Sequence, residues 1–490
     1  MGLMVMLALF GWYGVTLFAF TRLPPARALL AVVVAGSLFL PEVKMFQTTA
    51  EAPLALNIGF FSLTKANVIA TAALLGVLCF DGRRLAAFRP RWFDIPMALW
   101  CLAPMLADIG IGEPINVAWG QMRDQTLMWG VCYLLGRVYL GEAENLRDAA
   151  VAVMLGALVY VPLCWFEVLK QPDLHWRFYG YHPNDPAQTM RLGGNRPVVF
   201  LDHGLAVGLW VASGAMMATW LWWTGAVRQL PWLPHKPPLP MLWVVALLLV
   251  TAVVVKSTGA ILLGVVGIGA LLLARWVPLP LGLAALLVVS PIYIGARTSG
   301  AWTGDNLIVW LKTNFDPARA QSLEFRFTNE NILIKRALEK PMLGWGDTGL
   351  ARDVPRKRGE KAPITDGLWI IALGNLGYVG LASLYGAMLL PSLLFMLKYP
   401  PRRWSEPLIA PAAVIAMFFA LWMIDNLLNA MINEVYILLA GGLASFAGAP
   451  RVQTAADEDG EMDEPEVDEK PDEPETPADA PPGVLVRRRR

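Results

Sequence analysis

Five cations in this chain have the right type and placement to hold a phosphate: Arg326, Arg196, Arg191, Lys256 and Arg336. Arg177 and Lys335 fall in the same polar stretches, and all are expected on one face of a membrane. Arginine keeps its charge at any relevant pH and grips phosphate oxygens two at a time. Clustered at a bilayer surface, these side chains suit a lipid-linked phosphate or pyrophosphate. Asp366 and His203 are the nearby groups that could take a proton from an attacking hydroxyl. Asp202, Glu324 and Glu330 are further carboxylates of that face. Each residue also has a plainer reading. His203 with Asp202 could be a hydrogen-bonded packing pair about one turn into a span, although ionisable groups at that depth normally face a bundle interior or water. Lys256 could snorkel at the interface.

Arg326 and Arg336 belong to SLEFRFTNENILIKRALEKPMLGWGDTGL, residues 322–350. Leu323, Phe327, Ile334, Ala337 and Leu338 form one helical stripe, so this helix lies against something apolar. Arg326 precedes Glu330 by four residues, the spacing of a same-face pair. Pro341 ends the helix, and Gly344 and Gly346 allow a tight turn. Other chemistries find no support. There is no phosphate-cradling loop and no zinc-type cluster, and GWGDTG follows a helix rather than a strand. His235 stands in a Pro-rich loop and is expected to be inert. No nucleic-acid partner and no cofactor are expected.

The elements that must position these residues are hydrophobic spans. The chain has 490 residues, 56% hydrophobic and 16% charged, with a mean hydropathy of +0.49. Such values, with repeated uncharged runs, define an all-α polytopic membrane protein. Thirteen spans are read at 3–20, 28–40, 66–80, 95–109, 121–140, 149–168, 199–223, 241–255, 259–276, 279–294, 367–397, 407–428 and 430–447; merging of the last two would leave twelve. The first lacks a small-residue cleavage site and is expected to be retained. Cys79, Cys101, Cys132 and Cys164 all fall in or beside spans and read as small buried hydrophobes. Arg22, Arg27, Arg83, Arg84, Arg89, Arg91, Arg228, Lys236, Lys398, Arg402 and Arg403 fall on one side, which is expected to be cytoplasmic. The opposite side holds loops around 42–63 and 169–198 and a long one at 297–366, expected to contain short helices. Residues 1–450 are the membrane bundle. Residues 451–490 hold 13 acids between 457 and 479 and end in four arginines, a composition expected to be a disordered acidic cytoplasmic tail. Setting aside those 13 acids, Lys470 and the terminal arginines leaves 35 bases against 26 acids, so the body is near +9.

Between residues 190 and 395 the sequence resembles the O-antigen ligase and polymerase superfamily of bacterial envelope glycan synthesis. FRFTNENILIKRALEKPMLGWG is similar to the family segment in which an Arg opens a helix ending in a P-L-x-G-x-G turn. TDGLWIIALGNLGYVGL is similar to the following span, and STGAILL to the S-R-G-A entry of an earlier one. The resemblance implies an inner-membrane enzyme acting at the periplasmic face on undecaprenyl-pyrophosphate-linked oligosaccharide, without nucleotide sugar or metal. It gives Arg326 the pyrophosphate and Asp366 the place of the family's catalytic polar residue. The earlier family Arg is Thr258 here, and Lys256 could supply the lost charge. The ligases carry a His in the late outer loop; this chain has none after His235, so the resemblance is to the exopolysaccharide polymerase branch, where T-D-G-L-W and R-P-V-V-F-x-x-H-G occur together.

The implied reaction is an inverting glycosyl transfer. An acceptor hydroxyl attacks the donor's anomeric carbon, Asp366 or His203 takes the proton, and the arginines hold the leaving pyrophosphate. A flippase and a chain-length regulator are expected partners beside membrane lipid. A ligase delivering glycan to another acceptor is one rival. A lipid-linked oligosaccharide transporter is another; it would show internal repeats and midplane charge, and no repeat is visible.

Overall fold

Helix carries nearly all of the architecture of the computed structural model, which describes residues 2–44, 52–58, 61–191, 193–230, 238–314, 317–346 and 366–451. The helices in order are α1 (Leu3–Arg22), α2 (Pro25–Phe39), α3 (Lys65–Ala86), α4 (Ile95–Gly110), α5 (Ile115–Gln125), α6 (Cys132–Tyr139), α7 (Ala143–Leu169), α8 (Leu174–Tyr179) and α9 (Gly204–Trp223). Then come α10 (Met241–Val254), α11 (Thr258–Trp276), α12 (Leu281–Thr298), α13 (Asp305–Asn314), α14 (Pro317–Ala337), α15 (Leu368–Lys398), α16 (Ala410–Asp425) and α17 (Glu434–Gly448). A π turn, Thr126–Val131, joins α5 to α6. Short antiparallel hairpins interrupt the loops, among them β1 (Leu56–Ile58) with β2 (Phe61–Leu63) and β3 (Met190–Arg191) with β4 (Gly194–Asn195).

Each expected span overlaps a helix, but that at 121–140 is divided between α5, the π turn and α6. Seven helices are long and apolar enough to cross a membrane, and α2, α10, α16 and α17 are shorter but apolar. The fold is therefore an all-α multi-pass membrane protein. Burial sorts the helices into layers. Most residues of α9 and nearly all of α16 and α17 are buried. Leu7 on α1, Leu242 and Trp243 on α10, Val265 on α11 and Ile292 on α12 are exposed instead. Apolar side chains turned outward in this number are the surface a bilayer covers. Cys101, Cys132 and Cys164 are buried as expected, but Cys79 is exposed beside Leu78 and Phe80 on the outer side of α3.

Polar contacts divide the loops between two ends. At one end Lys65 pairs with Glu42 at 2.6 Å, Lys44 with Asp202 at 2.5 Å, and Arg326 with Asp366 at 3.7 Å. At the other, Arg27 pairs with Asp148 at 2.8 Å, Arg137 with Asp94 at 2.7 Å, and Lys398 donates to the Phe446 carbonyl at 2.9 Å. This is the division that alternating spans require. Residues 450–490 separate from the bundle as a second unit, and beyond Arg451 they lie outside the described residues.

The late spans show two breaks. The last pair does not merge: residues 426–433 separate its two helices. The Asn429 amide donates back to Asp425, Asn426 accepts from the Met431 N–H, and Asn433 caps α17 through the Val435 N–H. Three asparagines thus offer the backbone an alternative to helix. The span at 367–397 is broken at Gly377, whose φ is +64° and ψ −164°. The turn after α14 closes this break. Tyr378 N donates to Pro341 O at 2.7 Å, Val379 N to Met342 O at 3.2 Å, and Trp345 N to Gly374 O at 2.9 Å. A Cβ on Gly377 would collide with the Met342 carbonyl, and one on Gly344 with that of Asn375. The glycines of the two motifs therefore serve one backbone splice, which fixes α14 to α15. Gly377→Val should raise the expanded, protease-sensitive fraction and lower the yield of folded protein sharply, since both φ and space forbid it. Leu376→Ala, at the neighbouring position, leaves the splice intact and is the milder control; size-exclusion profiles in detergent would compare them.

Candidate functional site

Arg326 lies in the third turn of α14 and reaches Asp366, which precedes the first turn of α15. Their side chains remain 26% and 35% exposed, so the pair is open to a ligand. Arg326 does not pair with Glu330, as its spacing had indicated. Glu330 turns the other way, to Arg297 at 3.1 Å, and accepts from the Tyr293 hydroxyl at 2.8 Å and Trp369 Nε1 at 3.4 Å. Arg297 also donates to the carbonyls of Thr303 and Phe327. This buried knot fixes the turn of α14 after Arg326, which leaves Arg326 free for Asp366. On the opposite side, Leu368 N donates to the carbonyls of Asn426 and Asn429, both at 2.9 Å, and so anchors Asp366.

Arg196 comes from the strand-rich loop before α9. It is buried, its Nη2 donates to the Lys256 carbonyl at 3.4 Å, and its Nε meets no partner among the described residues. Burial, with Arg191 and Arg326 as like-charged neighbours, lowers its pKa to about 10. Arg191 lies on β3, and Lys256 Nζ rests against the paired Gly194 of β4, so both belong to the same wall. The backbone here is held in strained conformations: Lys256 has φ +58° and Val199 φ +53°. For the β-branched Val199 such a φ is a genuine outlier and needs outside support. Glu167, fully buried at the end of α7, supplies it. Its Oε2 accepts from Val198 N at 2.7 Å and Val199 N at 2.8 Å, and its Oε1 from Leu174 N. One carboxylate thus holds the loop that presents Arg196. The structure brings Arg191, Arg196, Lys256 and Arg326 to one place, where Asp366 is the pairing carboxylate. Cations gathered this way are what a multiply charged anion would neutralise.

The two candidate bases come out differently. His203 caps α9: its Nδ1 accepts from Leu205 N at 3.0 Å, and its Nε2 faces Gln188 Oε1 at 2.9 Å. In that tautomer Nε2 carries the proton and Nδ1 is already engaged, so neither nitrogen is free to accept another. Burial lowers its pKa to about 4, aided by Arg196, Arg191 and Arg326 against Asp202. The geometry thus returns His203 to a structural role. His203→Asn, which keeps a capping acceptor, should retain most activity, while His203→Ala should lose about 1 kcal/mol of stability; thermal shift alongside product assay separates the two. Asp366 is half-buried, and burial raises its pKa although Arg326 opposes the shift. A base with a raised pKa is lost to protonation sooner on acidification. The acid limb of the rate–pH profile should therefore lie above the ordinary aspartate range, and an acid limb at or below that range would remove Asp366 from the role.

Arg336 does not join the cluster. It lies ten residues, roughly 15 Å, further along the helix, where it stacks on Trp345 at 3.3 Å and pairs with Glu339. Arg177 pairs with Asp173. His175 is a packing residue: Nδ1 meets the Tyr181 carbonyl and Nε2 accepts from Glu42 N.

Sequence reasoning missed the other half of this end. A cavity of 440 Å³ opens at this end of the bundle, bounded by the starts of α3, α9, α15 and α17 and by α5 with its π turn. Glu42, Lys44, Lys65, Asn67, Asp124 and Glu434 line it. Lys65 and Asp124 stand at the ends of apolar runs, a signal available in the sequence. Among the described residues no group of three or more His, Cys, Asp or Glu is placed to hold a metal ion. Compared with known proteins, the chain matches no family model and no curated protein sequence.

Proposed function

We propose that this protein is a membrane-embedded glycosyltransferase that joins lipid-pyrophosphate-linked oligosaccharide repeats into polysaccharide. The observation that carries the reading is that Arg196 and Arg191 of one segment come close to Arg326 of another, with Lys256 beside Arg196 and Arg326 paired to Asp366. The sequence resemblance to envelope glycan polymerases supports it, because its matched segments supply Arg326, Asp366 and the splice between them. The arginines bind the donor pyrophosphate and stabilise it as it leaves. The acceptor hydroxyl attacks the anomeric carbon opposite the leaving group, the C–O bond to the pyrophosphate breaks, and Asp366 receives the hydroxyl proton. The anomeric centre inverts. By the distribution of Lys and Arg, the end bearing Arg27, Arg84 and Lys398 faces the cytoplasm, and the cluster faces the periplasm of a bacterial inner membrane. The donor is an undecaprenyl-pyrophosphate-linked oligosaccharide in this reading.

A broken membrane helix is also a hallmark of transporters, where the break exposes backbone to a substrate. Here Pro341 and Met342 carbonyls fill the break in α15, which favours an enzyme. A deletion strain tests the proposal. Single repeats accumulating on the lipid carrier, with long polymer gone, is the expected result. Long polymer left on its carrier would mean a ligase, and repeats trapped on the cytoplasmic leaflet a transporter.

A further inference from the structure

The 440 Å³ cavity has a role that the arginine cluster does not explain. Its wall includes Leu368, two residues after Asp366 in the chain, so it lies at the same end of the bundle as the proposed reaction centre. Two N–H donors of lining residues, Trp100 Nε1 and Gln125 Nε2, are buried without a partner among the described residues. Buried donors are rarely left unmet. Acceptors line the same cavity. Glu434 accepts only the Ser37 hydroxyl, at 2.6 Å, among the described residues, and Asp124 and Asp202 line the same wall. Trp100 and Trp129 stand edge to face at 5.4 Å and give the cavity an aromatic side. The π turn that carries Trp129 begins at the residue after Gln125, and such turns concentrate at functional sites.

Donors, acceptors and an aromatic wall in a pocket of small-molecule size describe a site for a polyhydroxylated ring. Charge narrows the choice. Glu42, Asp124, Asp202 and Glu434 line the cavity; Lys65 pairs with Glu42, Lys44 with Asp202 and Arg123 with Asp124, so among the described residues Glu434 is the lining carboxylate left without a cation. We infer that this cavity binds an uncharged sugar, a hexose or N-acetylhexosamine at the acceptor end of the growing glycan, and excludes uronic acids. The inference rests on the glycosyltransferase reading for the word acceptor, but not for the binding.

Equilibrium dialysis of the purified full chain tests it with three probes: methyl glucoside, methyl N-acetylglucosaminide and methyl glucuronide. Saturable binding of a neutral glycoside is expected, with the glucuronide weaker. Trp100→Phe deletes an N–H that no described protein group uses, so folding should be unaffected, and Gln125→Ala is the second variant. Each should weaken binding about five- to tenfold, the worth of one hydrogen bond. No saturable binding of either neutral glycoside, binding unchanged in both variants, or tighter glucuronide binding would each overturn the inference. Arg326→Ala should bind the glycosides as the unaltered chain does while its polymer formation falls about 10²- to 10³-fold. Failure of the unaltered chain to join lipid-linked repeats, with glycoside binding intact, would overturn the glycosyltransferase reading and leave the sugar site standing.

Discussion

Arg326→Ala should lower polymer formation by about 10²- to 10³-fold with folded protein at its normal level, the loss seen when one preorganised charge-stabilising donor is removed. The size of the effect follows from the setting. Among the described residues Arg326 is the one cation of the cluster in contact with Asp366, and it is partly exposed, so it can meet both the leaving group and the acceptor's base. Arg326→Lys should recover only part of the loss, because an ammonium cannot hold two oxygens in the fixed geometry of a guanidinium. Lys335→Ala, one turn before the splice and exposed, should change nothing measurable. Lipid-linked repeat consumption in membranes prepared from each variant would read all three. Near-normal turnover by Arg326→Ala would remove this residue from the chemistry.

Arg297→Ala should be the most damaging substitution for stability outside the helical core, at about 3–5 kcal/mol. Its side chain is 1% exposed and that of Glu330 6%, so removal strands a carboxylate inside the protein. The consequence reaches the site. Glu330 is one turn from Arg326, and loosening it frees α14 to rotate Arg326 away from Asp366. Replacing both partners, Arg297→Met with Glu330→Leu, should restore much of the stability, since a buried pair is often matched by apolar groups of similar volume. The double variant should nonetheless remain slow, because the aim of α14 depends on the several bonds Arg297 makes to the 302–303 and 327 carbonyls. Apparent melting temperatures with turnover on the same preparations would separate stability from positioning.

The spans were legible because uncharged runs of this length have few structural outcomes. The two motifs that carry Arg326 and Asp366 were also legible, although not that these side chains pair or that the motifs' glycines form a single splice. The partners of buried charges were not legible. Helical spacing joined Arg326 to Glu330, but tertiary geometry gave Glu330 to Arg297 from a different helix. Arg336 looked equivalent to Arg326 by charge and helix, yet ten residues of rise carry it out of reach. His203 stood at a chemically plausible depth, and only its bonds to Leu205 and Gln188 show that it caps a helix. The cavity was hidden because its wall is assembled from distant segments, none with a motif of its own.

The most direct measurement is turnover by the purified chain in proteoliposomes, supplied with a single defined lipid-pyrophosphate-linked repeat unit. A ladder of products differing by one repeat, with free lipid pyrophosphate released in step with each linkage, is the predicted result. Unchanged repeat units, or units moved across the bilayer without a new glycosidic bond, would contradict it.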